Sequence, residues 1–284
     1  VITALRFDRI RFTIAATDLA GMHDSRAAGT RLAEALANEA PRAVLLLSQG
    51  VNVNGSELID GMVSVLGRDI PVTGGLAGDN GAFRETWSLL DGELSRQRMI
   101  AIGLSGEALR HAHGSFGGWQ SFGPARRATR TAGNVLFELD GKPALDVYKN
   151  YLGDYARDLP ASGLLFPFAL LGRDHRESGL IRTLLGIDEA AGSLILAGDI
   201  PQDSHVRLMH ASTEALVDGA ENAAQASRAM LAGASPTLAL LVSCIGRKLV
   251  MGDRVDEEVE AAAEVFGSQC TLTGFYSNGE ISHY

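Results

Sequence analysis

One construction occurs twice in this chain, once in each half: a short apolar run that leads into a polar, glycine-rich stretch. The first copy is residues 70–79 (IPVTGGLAGD) and the second is residues 270–281 (CTLTGFYSNGEI). Thr73-Gly74 corresponds to Thr273-Gly274, and Gly78-Asp79 corresponds to Gly279-Glu280 after a shift of one residue. A short apolar run bounded by glycine is typical of a buried strand. We therefore predict a strand followed by a glycine loop at both places.

The segments before the two copies follow the same order of strand, helix, strand and helix. In the first half we predict strands at residues 11–16 and 44–47, a helix at 26–38 that Asp24 or Ser25 caps, and a second helix that Ser56 caps. In the second half we predict strands at 205–210 and 237–242 and a helix at 213–231. A last helix follows, with one apolar face formed by Val255, Val259, Ala262 and Phe266.

This agreement in order and length indicates an internal duplication. We predict an α/β fold of two similar lobes, with mixed β-sheets flanked by helices, and assign residues 1–135 to the N-terminal half and 136–284 to the C-terminal half. After the first glycine stretch we predict a hairpin of residues 86–90 and 99–104, with its turn near Asp91-Gly92.

Charge and composition exclude some classes of protein. The formal net charge is −9, whereas a nucleic-acid surface needs clustered excess Lys and Arg, so we expect no nucleic-acid partner. No apolar run is long enough to cross a bilayer, so we expect no membrane association. Two cysteines make no disulfide framework, and we therefore expect a cytoplasmic location.

The usual catalytic and phosphate-binding motifs do not fit. Residues 50–57 (GVNVNGSE) have the glycine spacing of a P-loop, but Ser56 replaces the phosphate-binding Lys and Glu57 would repel phosphate. Residues 74–78 lack the spacing of the dinucleotide fingerprint. We expect no enzymatic activity from any recognisable motif.

A few single residues carry chemical possibilities. His111 and His113 alternate along an extended segment and could share a metal, although two such histidines are more often ordinary surface residues. Cys244 precedes Gly246-Arg247, so its thiol could be activated by the cation, or it is a small buried hydrophobe. Arg182 lies within an apolar strand and needs an anionic partner, either a protein carboxylate or a ligand carboxylate.

Several motifs together resemble one known family. Residues 274–281 (GFYSNGEI) closely resemble the Gly-Phe-Tyr-x-x-Gly-Glu-Ile signature of FIST-domain proteins. Residues 243–247 (SCIGR) are similar to the Cys-x-Gly-Arg segment of that family, and residues 139–148 to the junction between its N-terminal and C-terminal halves. Residues 74–79 resemble the glycine loop of the N-terminal half. The resemblance covers nearly the whole chain.

The resemblance implies an intracellular, bacterial-type sensory domain that binds a small ligand, with amino acids as the usual suggestion. It also implies a signalling partner, such as a histidine kinase or a cyclic-di-nucleotide enzyme. A subset of the family binds haem and senses nitric oxide. Position 278 is Asn where the family more often has an aromatic residue, and because the family has further strands after Glu280 we expect residues beyond Tyr284.

We therefore predict a non-enzymatic sensor that binds a small polar ligand between the two glycine stretches and needs no cofactor. Glu280 or Asp79 would receive an amine, and Arg182 or Arg247 a carboxylate. The full set of predicted ligand-binding residues is Gly74, Gly75, Asp79, Arg182, Cys244, Arg247, Phe275, Tyr276, Asn278 and Glu280. Two alternatives stay open, a haem-based gas sensor that uses His205 or His210, and an enzyme that uses Cys244.

Overall fold

A computed structural model describes residues 3–282 and shows a mixed α/β fold with several sheets and helices, as the sequence predicts. The expected continuation beyond Tyr284 lies outside the described residues. The chain forms two compact units, each built from separate segments. The first unit contains Val1–Ser115, Ala220–Ile245 and Asp256–Tyr284, and the second contains Phe116–Gly219 and Gly246–Val255.

The regular elements run as follows along the chain. Up to residue 115 they are β1 (Arg11–Asp18), α1 (Ser25–Ala37), β2 (Ala43–Ser48), α2 (Gly55–Leu66), β3 (Val72–Ala77), β4 (Ser88–Leu90), β5 (Glu93–Ser95) and β6 (Arg98–Ser105). The middle of the chain contributes β7 (Gln120–Ala132), β8 (Val135–Leu139), β9 (Lys142–Pro143), α3 (Ala144–Leu152), β10 (Phe168–Leu171), β11 (Glu177–Arg182), β12 (Leu184–Asp188), β13 (Ser193–Leu196) and β14 (His205–His210). The last elements are α4 (Thr213–Met230), β15 (Leu238–Cys244), α5 (Ile245–Met251), α6 (Asp256–Phe266) and β16 (Thr271–Ile281).

The first unit is organised around one mixed sheet. Within residues 3–282 this sheet has six strands in the order β1-β6-β2-β3-β16-β15. The pairs β2–β3 and β15–β16 are parallel, and β3 and β16 run antiparallel where the two pairs meet. The two halves of the chain therefore contribute equivalent strand pairs to the same sheet, whereas β14, the predicted counterpart of β1, lies in the other sheet.

Helices α1 and α2 cover one face of this sheet because their apolar positions recur at helical spacing. Leu32 and Leu36 of α1 and Leu58 and Met62 of α2 are fully buried against Leu46 of β2. Burying each such side chain contributes about 2 kcal/mol to the hydrophobic stabilisation. The predicted cap of α2 is wrong by two residues, since the side chain of Asn54 accepts hydrogen bonds from the N–H groups of Ser56 and Glu57.

The second unit has its own sheet and core. Its described strands form a sheet in the order β11-β10-β14-β7-β8-β13-β12, with β9 paired to β8. The ring of Tyr148, on α3, is fully buried in its core, and the hydroxyl donates to the carbonyl of Phe166 at 2.8 Å. Burial raises the pKa of this phenol far above its ordinary value.

The predicted reversal at Asp91-Gly92 is present, with positive φ at both residues (53° and 83°). The strand that follows the turn differs from the prediction. It is β5, which pairs with β4 across Leu89 and Leu94, whereas β6 pairs with β1 and β2. A tight two-residue turn reverses the chain at once, so the nearest extended residues become the partner strand.

Candidate functional site

The two glycine stretches are neighbouring strands and not loops, which corrects the sequence prediction. Gly74 and Gly75 lie inside β3, while Phe275, Tyr276, Asn278 and Glu280 lie inside β16. Gly75 is paired with Glu280, and Ala77 with Ser277. The similar stretches thus lie side by side in one sheet, which the predicted site required.

The glycines are needed for the close approach of backbones. A Cβ atom at Gly74 would fall 2.0 Å from the carbonyl oxygen of Leu46, and one at Gly274 would fall 1.9 Å from that of Leu241. Gly74 also has a φ of 136°, which side chains disfavour. These contacts explain the glycine of the shared Thr-Gly pattern by sheet packing.

Polar residues collect where the strand ends converge. Cys244, the last residue of β15, is paired with Ser277, and Ser277 is also paired with Ala77, the last residue of β3. The carboxyl ends of parallel strands are the usual place for ligands in α/β proteins. Here two such ends reach the middle of β16 from opposite directions. We call Asp79, Ser277, Asn278 and Glu280 the strand-end cluster.

Asp79 organises the segment that follows β3. Its carboxylate accepts hydrogen bonds from the N–H groups of Phe83, Arg84 and Glu85 at 2.7–3.2 Å. Burial raises the pKa of Asp79, but these N–H groups and the side chain of Asn278 lower it more, so the pKa lies below its ordinary value. The carboxylate is therefore charged at neutral pH and directed largely at its own chain.

Asn278 is the buried centre of the strand-end cluster. The register between β16 and β3 shifts between Ser277 and Gly279, and this bulge separates Asn278 from the regular pairing. The side chain is 5% exposed, and its Nδ2 donates to the carbonyl of Gly50 at 3.2 Å. Its Oδ1 is buried and accepts no hydrogen bond within residues 3–282. A buried acceptor without a donor is costly, so a donor placed beside this oxygen would stabilise it.

Ser277 and Glu280 form the other side of the strand-end cluster. Ser277 is fully buried, and its hydroxyl donates to Oε1 of Glu280. Glu280 is itself exposed, so this pair joins the buried bulge to the surface. An exposed carboxylate beside a buried acceptor suits a ligand with a positively charged N–H donor.

Ser243 of β15 and Tyr276 of β16, which precede Cys244 and Ser277, bind helix α6. Glu258 of α6 is 5% exposed, and its Oε1 accepts hydrogen bonds from Ser243 of β15 and Tyr276 of β16, both at 2.9 Å. Sequence reasoning missed Glu258 because apolar spacing predicted Val259 on the inner face of the helix. Val259 is instead 43% exposed. No hydrophobic pattern could have revealed a carboxylate that is buried for its hydrogen bonds.

Phe275 and Cys244 are part of the packing around the strand-end cluster. The ring of Phe275 lies 3.4 Å from where a Cβ of Gly75 would be, so this glycine leaves room for the ring. Cys244 forms no disulfide among the described residues and is 9% exposed. Burial limits the access of reagents to this sulfur, and its use as a nucleophile stays a prediction.

Arg182 and Arg247 lie in the second unit and bond to carbonyl groups. Arg182 donates through Nε to the carbonyl of Asp199 at 2.8 Å, and burial lowers its pKa despite the opposing charge of Asp199. Arg247 is 6% exposed and donates to the carbonyls of Gly117 and Leu216 at 2.6 and 2.7 Å. The charge of Asp199 thus acts on Arg182, as the sequence suggested for a protein carboxylate, and a ligand contact for either arginine stays a prediction.

His205 and His210 also lie in the second unit, at the two ends of β14. The ring of His205 lies 4.3 Å from that of His175, and His210 meets Phe122 edge to face at 5.8 Å. Among the described residues, no three His, Cys, Asp or Glu side chains are placed to hold a metal ion. Haem ligation stays a prediction.

Family models match both parts of the chain. The FIST N domain matches residues 1–142 and the FIST C domain matches residues 144–283. The chain belongs to the FIST family. FIST domains are sensory and signal-transduction domains, and two adjacent FIST domains fit the two predicted lobes. The predicted division after residue 135 stays a prediction.

Other comparisons add little about function. An uncharacterized protein of Methanocaldococcus jannaschii, MJ1623, is 33% identical over 98 residues, which are 34% of this FIST chain and 19% of that protein. The chain therefore spans about a fifth of the length of this relative. No solved structure matches. In the part of the chain that the structure describes, no helix has both the length and the apolar character for crossing a membrane.

Proposed function

We propose that this FIST-family chain binds a small ligand with a positively charged amino group, such as an amino acid, at the strand-end cluster. The buried Oδ1 of Asn278, which accepts no hydrogen bond within residues 3–282, is the observation that carries the proposal. The ligand ammonium donates to this oxygen and to the exposed carboxylate of Glu280. Each charge-assisted bond contributes about 2 kcal/mol to binding.

We also propose how the bound state reaches the surface of the domain. Tyr276 and Ser277 are adjacent on β16, and the former bonds to Glu258 of α6 while the latter bonds to Glu280 of the strand-end cluster. A shift of the bulge on ligand binding therefore pulls on α6. A histidine kinase or a cyclic-di-nucleotide enzyme, attached or separate, reads this change. The assignment of partner type rests on the resemblance to FIST proteins.

Calorimetric titration with the common amino acids tests the ligand. We expect at least one to bind, and we expect Glu280→Gln to weaken it about tenfold or more because the charge of one acceptor is lost. Asn278→Leu, which removes the buried acceptor, should weaken it as well. Glu264→Gln, an exposed carboxylate on α6, serves as the matched control and should bind like the wild type.

The titration also shows how the proposal fails. If no amino acid binds to the folded wild type, the ligand class is wrong. If one binds with equal affinity to Glu280→Gln and Asn278→Leu, while circular dichroism shows both variants folded, the location is wrong.

A further inference from the structure

A second cleft lies in the first unit, at the opposite end of β3 from the strand-end cluster. Its volume is about 530 Å³, within the range of small-molecule sites. The residues that line it are Arg42, Asp69, Pro71, Leu109, Arg110, His111, His113 and Met230. Because Asp69 and Pro71 precede β3 and Asp79 follows it, about 16 Å of strand separates the two places. We call this second place the cationic cleft.

The lining of the cationic cleft carries more positive than negative groups. Two arginines face one carboxylate, that of Asp69, in a chain whose formal net charge is −9. A local excess of cations on an acidic protein attracts anions to that place. Pro71, Leu109 and Met230 provide apolar walls, which lower the local polarity and strengthen the attraction.

The two arginines keep much of their hydrogen-bonding capacity. Arg42 donates through Nη1 to the carbonyl of Gly106 at 3.5 Å, and Arg110 donates through Nη1 to the carbonyls of Glu107 and Leu109 at 3.1 and 3.2 Å. Within residues 3–282 neither arginine forms an ion pair, and no hydrogen bond uses Nε or Nη2 of either one. The guanidinium groups are thus anchored at one nitrogen and have donors left for an anion.

The histidines are held beside them on an extended segment between β6 and β7. The Nε2 of His111 lies 3.5 Å from Oγ1 of Thr73, a residue of β3. The rings of His111 and His113 are nearly parallel, with centroids 5.8 Å apart and planes at 30°. Both imidazoles are partly buried, so they sit in a defined place and not in open solvent. Pre-placed donors reduce the entropy lost on binding.

We propose that the cationic cleft binds a small dianion whose two negative charges are shared between Arg42 and Arg110. A dicarboxylate and a phosphate both have this chemistry, because each matches the fork of a guanidinium. The imidazoles of His111 and His113 line the same cleft beside the two guanidinium groups. This site is separate from the strand-end cluster and does not depend on what binds there.

Calorimetry with succinate and with inorganic phosphate, each at constant ionic strength, tests the proposal. We expect at least one of them to bind, and which one binds shows whether the site prefers a dicarboxylate or a phosphate. Neutral succinamide should not bind. Arg42→Gln and Arg110→Gln should each weaken the dianion about tenfold, as the loss of one charge-assisted bond implies. Arg11→Gln, an exposed arginine of β1 outside the cleft, is the matched control and should leave affinity unchanged.

Imidazole chemical shifts of the wild type locate the bound dianion. The signals of His111 and His113 should move on titration while those of His205 and His210, in the second unit, stay in place. The proposal is overturned if neither dianion binds to the wild type at millimolar concentration. It is equally overturned if binding survives in both arginine variants, or if the shifts appear at the other histidines.

Discussion

At the scale of single residues, hydrogen bonds to the chain itself account for many polar side chains that looked available in the sequence. Asp79 is held by three backbone N–H groups, and Arg182 and Arg247 donate to carbonyls. Asn278 differs, because one of its buried polar atoms accepts nothing within the described residues. For this reason we propose the bulge of β16, and not the surrounding charges, as the place for a ligand.

Asp24 gives a prediction about pH. Hydrogen bonds from Arg31 and from the N–H of Ala20 lower the pKa of Asp24 to about 2. A carboxyl whose pKa is lower in the folded state stabilises the fold at pH values above its pKa in the unfolded chain, which is about 4. This contribution falls away between pH 4 and 2, as the carboxyl takes up its proton. Urea unfolding at stepped pH should therefore show a shallower acid loss of stability in Asp24→Asn than in the wild type.

Asp60→Asn is the matched control for this experiment. Asp60 pairs with Arg26 at 2.8 Å, but its side chain is 60% exposed, compared with 15% for Asp24, so water screens the pair. We expect this control to follow the wild type. Equal acid slopes in Asp24→Asn and the wild type would show that the Arg31 contact contributes nothing in solution.

At the scale of elements, α6 is attached to the sheet by a carboxylate as well as by apolar contacts. One oxygen of Glu258 accepts from both Ser243 and Tyr276, so β15, β16 and α6 meet at a single atom. The removal of one donor leaves the other in place. The removal of both leaves that oxygen, on a buried carboxylate, without its two strand donors, which costs more than the sum of the two single changes.

A double-mutant cycle checks this arrangement. Ser243→Ala and Tyr276→Phe should each lower the free energy of unfolding by about 1 kcal/mol, and the double variant should lose more than the sum. Urea denaturation provides the measurement, with Tyr155→Phe as the control because the ring of Tyr155 is 54% exposed. Strict additivity would mean that the two hydroxyls do not share the oxygen of Glu258.

At the scale of the whole molecule, the first unit is built from segments at both ends of the chain. The last strand, β16, lies between β3 and β15 in the interior of the sheet and is not an edge strand. The first unit therefore cannot complete this sheet until residues 271–281 are present. Such non-local pairing is slow to form, because the intervening chain must be ordered first.

A chain that ends at Gly267 tests this dependence. Without β16, β3 becomes an edge strand, and we expect its amides to exchange at least about tenfold faster, while those of β8 in the second unit change less. Hydrogen exchange measured by NMR gives the rates, and a chain that ends at Ser282, which keeps β16, is the control. Unchanged protection of β3 in the shorter chain would contradict the central position of β16.

The sequence by itself determined the repeated strand pairs, the helices between them and the family, whereas the short helix α5 was not predicted. The alternation of polar and apolar residues and the positions of glycine are patterns among residues close in the sequence, so they can be recognised without the fold. The motif at 274–281 was specific enough to predict the FIST family, which the family models confirm. The same local reasoning placed a glycine loop where a strand continues, because the close backbone approach that these glycines permit depends on the neighbouring strand.

Only the tertiary structure decided which residues share a place. Contacts between distant parts of the chain determine the pairing of β3 with β16 and the burial of Glu258. They also leave the buried Oδ1 of Asn278 without a hydrogen-bond donor among the described residues. The cationic cleft likewise joins the ends of loops that no spacing rule connects. The burial and hydrogen-bond partners of a polar residue depend on neighbours that are distant in the sequence. Whether such a residue serves packing or ligand binding can therefore be judged only once those neighbours are known.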